Sequence, residues 1–283
     1  MKTKEELNCC ITTCGLPLNE NYWDKQYKNS ETGWDLQGVS PPLKDIIVNL
    51  TDKNLKILIP GCGNAYEVDY LLKLGFKNVT LIDISSTLIN KLKKKLKGKS
   101  IQILHNDFFD HNEKYDLIIE QTFFCAINPS LRERYVAKCF SLLNENGRIA
   151  GLLFNTIFEK EGPPFGGTKK EYKSLFESLF ELKHFETCKN SIPPRLGNEL
   201  LIEIKRKNIS PDLVNIYSIS GLTSSGCKNK ILNSMNKIKS VKAVSINSDF
   251  SEILLVSNMK LKKAVIENSI SKDHKYKLKK IKI

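Results

Sequence analysis

Two glycines and an aspartate, spaced for nucleoside binding, carry the strongest chemical signal in this 283-residue chain. Gly61 and Gly63 follow an apolar run at 57–59 and precede a helical pattern, and Asp83 ends the next apolar run. A glycine turn presents backbone N–H groups at the start of a helix, and an acid at the tip of the second strand can accept hydrogen bonds from ribose hydroxyls. Asp83 lies 22 residues after Gly61, the usual separation for such an acid. The segment therefore predicts a nucleoside-cofactor site.

The spacing of the glycines favours S-adenosylmethionine over a dinucleotide as the cofactor. A dinucleotide site requires a third glycine, which lets the helix pack close beneath a pyrophosphate. Here Tyr66 occupies that position, and the next glycine is Gly75. S-adenosylmethionine has no phosphate, so two glycines suffice for it.

The positive charge of the chain does not favour nucleic-acid binding. The formal net charge is +13, of which +9 falls in residues 208–283, where there are 14 lysines and five acids. A surface that reads or stacks on bases uses arginine and aromatic side chains, and this stretch has no arginine and few aromatics. The pattern favours a solvated lysine-rich surface.

Composition also bears on compartment and metals. The chain has no run of about 18 apolar residues and begins without the apolar stretch of a signal peptide, so we expect no membrane span and a cytoplasmic location. The four histidines show no metal-ligand spacing. The cysteines form no regular framework and are expected to be reduced. They are Cys9, Cys10, Cys14, Cys62, Cys125, Cys139, Cys188 and Cys227.

Strands and helices are predicted to alternate through most of the chain. Strands are expected at 55–60, 78–83, 101–104, 115–121, 147–155, 183–189 and 199–206, and helices at 43–50, 64–74, 86–96, 130–143 and 168–180, with a turn at 144–147. Alternation of this kind implies a parallel sheet covered on both faces. The short connection between the last two strands predicts an antiparallel hairpin at the sheet edge. The expected fold is α/β and Rossmann-like, and a seven-stranded, mostly parallel sheet that ends in a hairpin resembles that of class I methyltransferases.

The composition shifts at residues 208–211, which we interpret as a linker between two domains, 1–207 and 212–283. The second domain shows a β-α-β-β-α-β pattern in about 70 residues, which predicts a small ferredoxin-like α+β domain.

Residues 22–206 resemble the thiopurine S-methyltransferase family, in its halide/thiol methyltransferase branch. The segments that carry the resemblance keep their order and spacing: YWDKQYKNSETGWD (22–35), ILIPGCGNAYEV (57–68), LIDIS (81–85), NDFF (106–109), FFCAINPSLRERY (123–135) and GPPF (162–165).

The resemblance implies a set of cofactor contacts in the N-terminal segment and at the tips of the first strands. These are Trp23, Tyr27, Trp34, Gly61, Gly63, Asp83, Asp107, Phe108 and Gln121. Tyr27 and Gln121 depart from the family, where tryptophan and tyrosine are common. From the residues alone, Trp23 and Trp34 either cap a core or face the sulfonium, where cation–π attraction contributes roughly 0.5–2 kcal/mol. Phe108 is open to the same alternatives, core packing or stacking on adenine.

On the substrate side the resemblance implies positioning by Phe123, Arg132 and Phe165. Phe123 follows the fourth strand, where the transferred methyl group should lie. From its residue type alone, Arg132 is either a solvent-exposed surface charge or an anion-binding residue. Cys125 lies in the same motif, but methyl transfer needs no covalent nucleophile, and no residue is assigned as a catalytic acid or base.

The C-terminal segment resembles a heavy-metal-associated (HMA) domain, whose first loop carries M-x-C-x-x-C. Here Leu222 and Ser224 replace the methionine and the first cysteine, and Cys227 is retained. One thiolate does not make the two-thiolate site of those modules, so no metal is expected there. A site shared between two subunits, or with another cysteine, stays open beside the simpler interpretation, a packing or interaction module.

Together these observations predict an enzyme that transfers a methyl group from S-adenosylmethionine to a thiol, thiocyanate, bisulfide or halide by in-line displacement. Such acceptors are anionic or partly so at neutral pH, so alignment and water exclusion are the main requirements. A thiopurine or metalloid acceptor is the alternative within the family. A non-catalytic protein that handles metals or binds a ligand is the alternative of another class.

Overall fold

The computed structural model describes residues 17–270 and 276–283. Cys9, Cys10, Cys14 and His274 lie outside the described residues. The eight helices of the described chain are α1 (Glu20–Lys28), α2 (Pro41–Val48), α3 (Tyr66–Lys73), α4 (Ser86–Lys95), α5 (Arg132–Leu142), α6 (Lys169–Phe176), α7 (Ser225–Asn236) and α8 (Lys263–Ile270). None of the helices in these two ranges combines the length and the apolar character needed to cross a membrane.

The first seven strands form one sheet, as predicted. They are β1 (Ile57–Pro60), β2 (Val79–Asp83), β3 (Gln102–His105), β4 (Tyr115–Gln121), β5 (Leu143–Phe154), β6 (Phe180–Thr187) and β7 (Glu199–Arg206). Their order is β3-β2-β1-β4-β5-β7-β6. Only β7 is antiparallel to its neighbours, so the predicted mostly parallel sheet with a terminal hairpin is confirmed.

Alternation along the central strands explains why the sheet is covered on both faces. Ile57 and Ile59 pack in a core with α2, α3 and α4, whereas Leu58 packs on the opposite face with α5 and α6. Successive residues of a strand point to opposite faces, so an apolar run this short supplies both cores.

The predicted turn at 144–147 does not form as a separate turn. Helix α5 ends at Leu142, and β5 begins at once at Leu143, which pairs with Tyr115 of β4. The pairing then shifts to Leu117 opposite Arg148, so the asparagine-rich stretch is accommodated as a bulge. Asn146 takes a left-handed backbone with φ 66°, a conformation that asparagine tolerates better than most residues. The stretch therefore ends the helix, as expected, but without breaking the strand.

The C-terminal segment forms a second, four-stranded sheet. Its strands are β8 (Val214–Ser220), β9 (Val241–Ile246), β10 (Glu252–Ser257) and β11 (Lys277–Ile281), with α7 after β8 and α8 after β10. The order β11-β8-β10-β9 is antiparallel throughout. One face packs on its own helices through residues such as Tyr217, Ile231 and Leu255. The other face packs on the core around α5.

Candidate active site

A cleft of about 920 Å³ opens at the carboxyl ends of the parallel strands. Strand β1 lies between β2 and β4, so the chain leaves β1 in one direction and later crosses to its other side. Ligands of open α/β sheets bind at such a switch point. Ten of the predicted site residues line this cleft: Trp23, Tyr27, Trp34, Gly61, Gly63, Asp83, Asp107, Phe108, Gln121 and Phe123.

The glycine turn after β1 combines a left-handed backbone with close packing. Gly61 has φ +53° and Gly63 has φ +51°, a region that side chains with a Cβ rarely adopt. A Cβ on Gly61 would stand 2.3 Å from Cδ2 of Phe123. The nearest atom to a Cβ on Gly63 is the Tyr27 hydroxyl, at 3.9 Å. Gly61 thus makes room for a protein side chain, and Gly63 leaves open space within the cleft.

Asp83 ends β2 inside this cleft and is 8% exposed. Its Oδ1 accepts a hydrogen bond from the Ser85 N–H at 2.9 Å. Burial raises the pKa of Asp83 to about 6, against the opposing effect of N–H donors from Ser85, Gly63 and Ile84. Within the described part of the chain, no lysine or arginine forms an ion pair with it. A desolvated carboxylate without a cationic partner fits ribose hydroxyls as donors.

Three aromatic side chains of the N-terminal segment form one cluster over the cleft. The Trp34 ring meets the edges of Trp23 and Tyr27, with centroids at 5.6 and 5.8 Å. All three rings are half-buried and line the cleft. The rings pack on one another and also line the cleft, and contact of the tryptophans with the sulfonium stays a prediction.

Asp24 joins this segment to the sheet and was not singled out from the sequence. Its carboxylate accepts hydrogen bonds from Ser85 Oγ at 2.6 Å, Ser86 Oγ at 2.9 Å and the Thr87 N–H at 3.0 Å. Burial acts to raise the pKa of Asp24, but these hydrogen bonds outweigh it and lower the pKa below its usual range. Asp24 thus sits at the N-terminus of α4, where a helix favours negative charge, and attaches α1 to that helix.

Glu120 organises the turn after β4. It is fully buried, and its Oε1 accepts the N–H groups of Phe123 and Phe124, both at 2.9 Å. Its Oε2 accepts the Tyr135 hydroxyl at 2.6 Å. Burial raises the pKa of Glu120 to about 7. The turn contains Thr122 at φ +63°, a costly conformation for a β-branched residue, and the glutamate's hydrogen bonds hold it there.

The tips of β3 and β4 bring the other predicted cofactor residues to the cleft. Asp107 accepts the Phe109 N–H at 2.8 Å and so begins a short 3₁₀ turn. Phe108 is 4% exposed, and its ring centroid lies 5.1 Å from that of Phe123. Gln121 accepts a hydrogen bond from Ser40 Oγ at 3.2 Å. Phe108 is therefore a core residue that also lines the cleft.

A guanidinium that the sequence analysis did not single out also lines the cleft. Arg195 is 9% exposed, donates to the Trp34 carbonyl at 3.1 Å and pairs with Glu199 at 3.4 Å. Its guanidinium stacks on Phe154 at 5.3 Å from the ring centroid. Among the described residues that line the cleft, Arg195 is the only lysine or arginine.

Arg132 and Phe165 lie outside the cleft lining of the described chain. Arg132 donates to the carbonyl oxygens of Gly166 at 2.9 Å and Phe165 at 3.4 Å, and it stacks on Phe124. Phe165 is 5% exposed, and its N–H donates to the Cys125 carbonyl at 2.7 Å. Both residues therefore fix the loop that presents Pro163 and Pro164 to the cleft. Direct positioning of the substrate by either residue stays a prediction.

Five cysteines lie in the part of the chain that the structure describes. Burial raises the pKa of the Cys125 thiol to about 12, so it stays protonated. The five described cysteines form no disulfide. No cluster of three or more histidine, cysteine or acidic side chains is present among the described residues. Ser224, at the lost cysteine position, caps α7 by accepting the Cys227 N–H at 3.3 Å.

The polar residues that sequence reasoning missed have partners far along the chain. Arg195 donates to a carbonyl 161 residues away, and Asp24 binds groups 61 to 63 residues away. Glu120 did leave a signal, because a glutamate inside an apolar strand must find buried partners. Arg195 and Asp24 stand in polar stretches without such a signal.

Comparison with known proteins agrees with this geometry. A model of the thiopurine S-methyltransferase family matches residues 18–207. Probable thiol methyltransferase 2 of Arabidopsis thaliana is 30% identical over 193 residues, which are 66% of this chain and 85% of that protein. Thiocyanate methyltransferase 1 of Brassica oleracea is 29% identical over 202 residues, 68% of this chain and 87% of that protein. The crystal structure of a magnesium protoporphyrin IX methyltransferase from Synechocystis PCC 6803 is similar in fold, with a TM-score of 0.54 and 14% identity over 69% of this chain and all of that chain.

The sheet order and the cleft at its switch point are those of the class I methyltransferase fold. The family match covers about two thirds of the chain, including the glycine turn, Asp83 and the turn after β4. The chain belongs to the thiopurine S-methyltransferase family.

Proposed function

We propose that this protein transfers a methyl group from S-adenosylmethionine to the sulfur of a thiol, thiocyanate or bisulfide, or to a halide. One observation carries the proposal: a single cleft contains both the desolvated Asp83 carboxylate and the Arg195 guanidinium. The first suits a nucleoside, and the second suits an anionic acceptor. The thiol and thiocyanate methyltransferases to which the chain is similar support this choice of acceptor.

The residues present fit the methyl donor. The space above Gly63 and the Asp83 carboxylate suit a ribose, and Phe108 lines the cleft where an adenine would lie. Trp23, Tyr27 and Trp34 would cover the sulfonium. When bound, S-adenosylmethionine supplies an electrophilic methyl group.

The chain's own contribution is positioning and exclusion of water. Phe123, Phe154 and Phe158 all line the cleft, and Arg195 stacks on Phe154. A thiolate or thiocyanate held by Arg195 needs no general base, because it already carries the reacting electron pair. This agrees with the protonated state of Cys125, which has no role in the transfer.

The C-terminal unit is proposed to be a ferredoxin-like module that resembles an HMA domain and acts without metal. The order β11-β8-β10-β9 with two helices on one face supports the first part. The cap that Ser224 provides at the lost cysteine position supports the second. The boundaries 1–207 and 212–283 and a cytoplasmic location remain predictions.

The direct experiment measures release of S-adenosylhomocysteine with a panel of iodide, thiocyanate, bisulfide, an aliphatic thiol, an aromatic thiol, a thiopurine and arsenite. Turnover with the soft anions or simple thiols supports the proposal. Preference for the thiopurine or arsenite supports the alternative within the family. Tight cofactor binding without turnover on any of them contradicts the proposal and favours a ligand-binding protein.

A further inference from the structure

The turn between β9 and β10 reaches a wall of the cleft. Asn247 in this turn is 1% exposed, and its Nδ2 donates to the Ser130 carbonyl at 2.8 Å. Ser130 lines the cleft, together with its neighbours Asn128 and Leu131. Asn247 lies outside residues 18–207, so the contact comes from a part of the chain that the family match does not include.

The orientation of the Asn247 amide is fixed by its own turn. Its Oδ1 accepts the N–H groups of Ser251 and Glu252, both at 2.9 Å. Its Nδ2 also donates to Ser251 Oγ at 3.1 Å. With both acceptor sites and both donor hydrogens used, the amide has one arrangement, and that arrangement directs an N–H at Ser130.

The C-terminal sheet also contacts helix α5, next to the same wall, through an ion pair and through buried apolar side chains. Arg134, in the first turn of α5, forms an ion pair with Glu252, with Nε at 3.3 Å from Oε2. Val214 and Leu254 of the C-terminal sheet belong to the same buried cluster as Tyr135 of α5. The docking is therefore apolar at its centre, with hydrogen bonds at the edge that faces the cleft.

The segment held in this way is short, and its own hydrogen bonds join only neighbouring residues. Residues Pro129–Leu131 form one 3₁₀ turn, which is a weaker arrangement than an α-helix. Its internal hydrogen bonds include those from the Ser130 N–H and Oγ to Asn128 Oδ1, at 3.0 and 2.9 Å, and from the Leu131 N–H to the Asn128 carbonyl at 2.8 Å. The Arg132 N–H also donates to the Pro129 carbonyl. Arg132 follows directly and holds the loop that presents Pro163 and Pro164. A fixed Ser130 thus also determines where this loop lies.

We propose that Asn247 is a positioning residue that fixes the wall at residues 128–131 and thereby sets the affinity for the methyl acceptor. The C-terminal unit is then a structural part of the acceptor site. The role of Asn247 in acceptor affinity rests on the proposed function, whereas its role in fixing residues 128–131 does not.

Asn247→Asp removes the hydrogen bond to Ser130 and keeps the hydrogen bonds that hold the turn between β9 and β10. A carboxylate still accepts the N–H groups of Ser251 and Glu252 but cannot donate to the Ser130 carbonyl. Ser251→Ala is the matched control, because it removes a hydrogen bond inside the turn and leaves Asn247 on Ser130. Asn247→Ala, which introduces no charge next to Glu252, serves as the second variant if the aspartate destabilises the protein.

Amide hydrogen exchange of a peptide spanning residues 126–134 tests the wall without any need for turnover. Loss of one hydrogen bond should speed exchange of the Leu131 amide by about fivefold in Asn247→Asp and in Asn247→Ala. Ser251→Ala should exchange at the wild-type rate. Wild-type exchange in both Asn247 variants overturns the proposal.

Steady-state kinetics with thiocyanate and an aromatic thiol tests the acceptor. We expect KM for the acceptor to rise about fivefold in the Asn247 variants, with KM for S-adenosylmethionine and the melting temperature close to wild type. Faster exchange with an unchanged acceptor KM, or an equal rise in both KM values, overturns the acceptor role. If the wild-type protein turns over no acceptor, the proposed function fails, and the exchange measurement still decides the role of Asn247 in the wall.

Discussion

The ring of Phe123 lies across Gly61, so close that a Cβ at position 61 would stand 2.3 Å from Cδ2 of the ring. This contact joins the turn after β1 to the turn after β4 at the centre of the cleft. Gly63 has nearly the same φ but open space above it. The two glycines therefore serve different purposes, one for packing and one for ligand access.

Gly61→Ala and Gly63→Ala should separate these two purposes. Both variants bear the cost of a left-handed backbone, and only Gly61→Ala adds a clash with Phe123. We expect Gly61→Ala to lower the free energy of unfolding of the ligand-free protein by about 1–3 kcal/mol more than Gly63→Ala does. Urea denaturation of both variants measures the difference. Equal losses would show that the Phe123 ring moves away without cost.

Glu120→Ala should be among the most destabilising single changes at the site. It would leave the N–H groups of Phe123 and Phe124 and the Tyr135 hydroxyl without their buried acceptor. Each such group costs about 1–3 kcal/mol, so we expect a loss of at least about 3 kcal/mol in the free energy of unfolding. Tyr135→Phe removes one of the three bonds and is the control, with an expected loss of about 1 kcal/mol. Similar losses for the two variants would contradict the assignment of Glu120 as the acceptor of all three.

Glu120→Gln should change how stability depends on pH. Burial raises the pKa of Glu120 to about 7 from an ordinary value of 4.5. Its contribution to stability is therefore complete below pH 4.5 and is lost as pH rises through about 7. The wild-type protein should lose stability relative to Glu120→Gln over this interval, by an amount on the order of 3 kcal/mol. The free energy of unfolding of both proteins, measured by urea denaturation across this pH range, checks the prediction. If the two values changed with pH in parallel, the pKa of Glu120 would lie near its ordinary value, and the prediction would be contradicted.

Asp24→Ala should loosen the N-terminal helix from α4. Hydrogen bonds to a buried carboxylate contribute about 1.5–3 kcal/mol, and we expect a loss of that size at pH 7. The stabilisation from Asp24 should disappear as pH falls below its ordinary pKa of 3.8, because the folded-state pKa is lower still.

Lys28→Ala is the control for Asp24. Lys28 forms an exposed ion pair with Asp24 at 3.6 Å, and such pairs contribute at most about 1 kcal/mol. Urea denaturation and cofactor binding of both variants would show whether the carboxylate or merely its surface ion pair attaches the helix. A larger effect of Lys28→Ala would contradict the capping role of Asp24.

Local signals made much of the fold predictable. Strand β4 has the predicted bounds, 115–121, because a short apolar segment between polar turns defines it without tertiary help. Helix α1 was not predicted. Its nine residues are mostly polar, and the bonds of Asp24 to residues 85–87 hold it on the sheet.

The candidate site was predictable where its residues follow strands directly. Gly61, Asp83 and Phe123 follow or end parallel strands, and such strands end at one edge of the sheet. Arg195 reaches the cleft from a loop, and Asn247, in a turn of the second sheet, contacts Ser130 in the wall of the cleft. Their positions depend on how distant segments pack, and a single sequence does not contain that information locally.

Cofactor affinity should fall with decreasing pH because Asp83 has to be ionised to accept hydrogen bonds from both ribose hydroxyls. Burial raises its pKa to about 6, so the loss should begin near pH 6 and steepen below it. The Kd for S-adenosylmethionine between about pH 5 and pH 8 checks this, with Asp83→Asn as the control that lacks the titration. A Kd that is constant down to pH 5 would contradict it.

Titration calorimetry of S-adenosylmethionine into the wild-type protein and into Asp83→Ala tests the central claim most directly. Asp69→Ala is the control, because Asp69 lies on α3 in a surface ion pair with Lys99. We expect one cofactor per chain, a loss of roughly 1.5–3 kcal/mol in Asp83→Ala, which is about 10- to 150-fold in Kd, and wild-type affinity in Asp69→Ala. No binding to the wild-type protein, or the same affinity with and without the Asp83 carboxylate, would contradict the account of this cleft as the cofactor site.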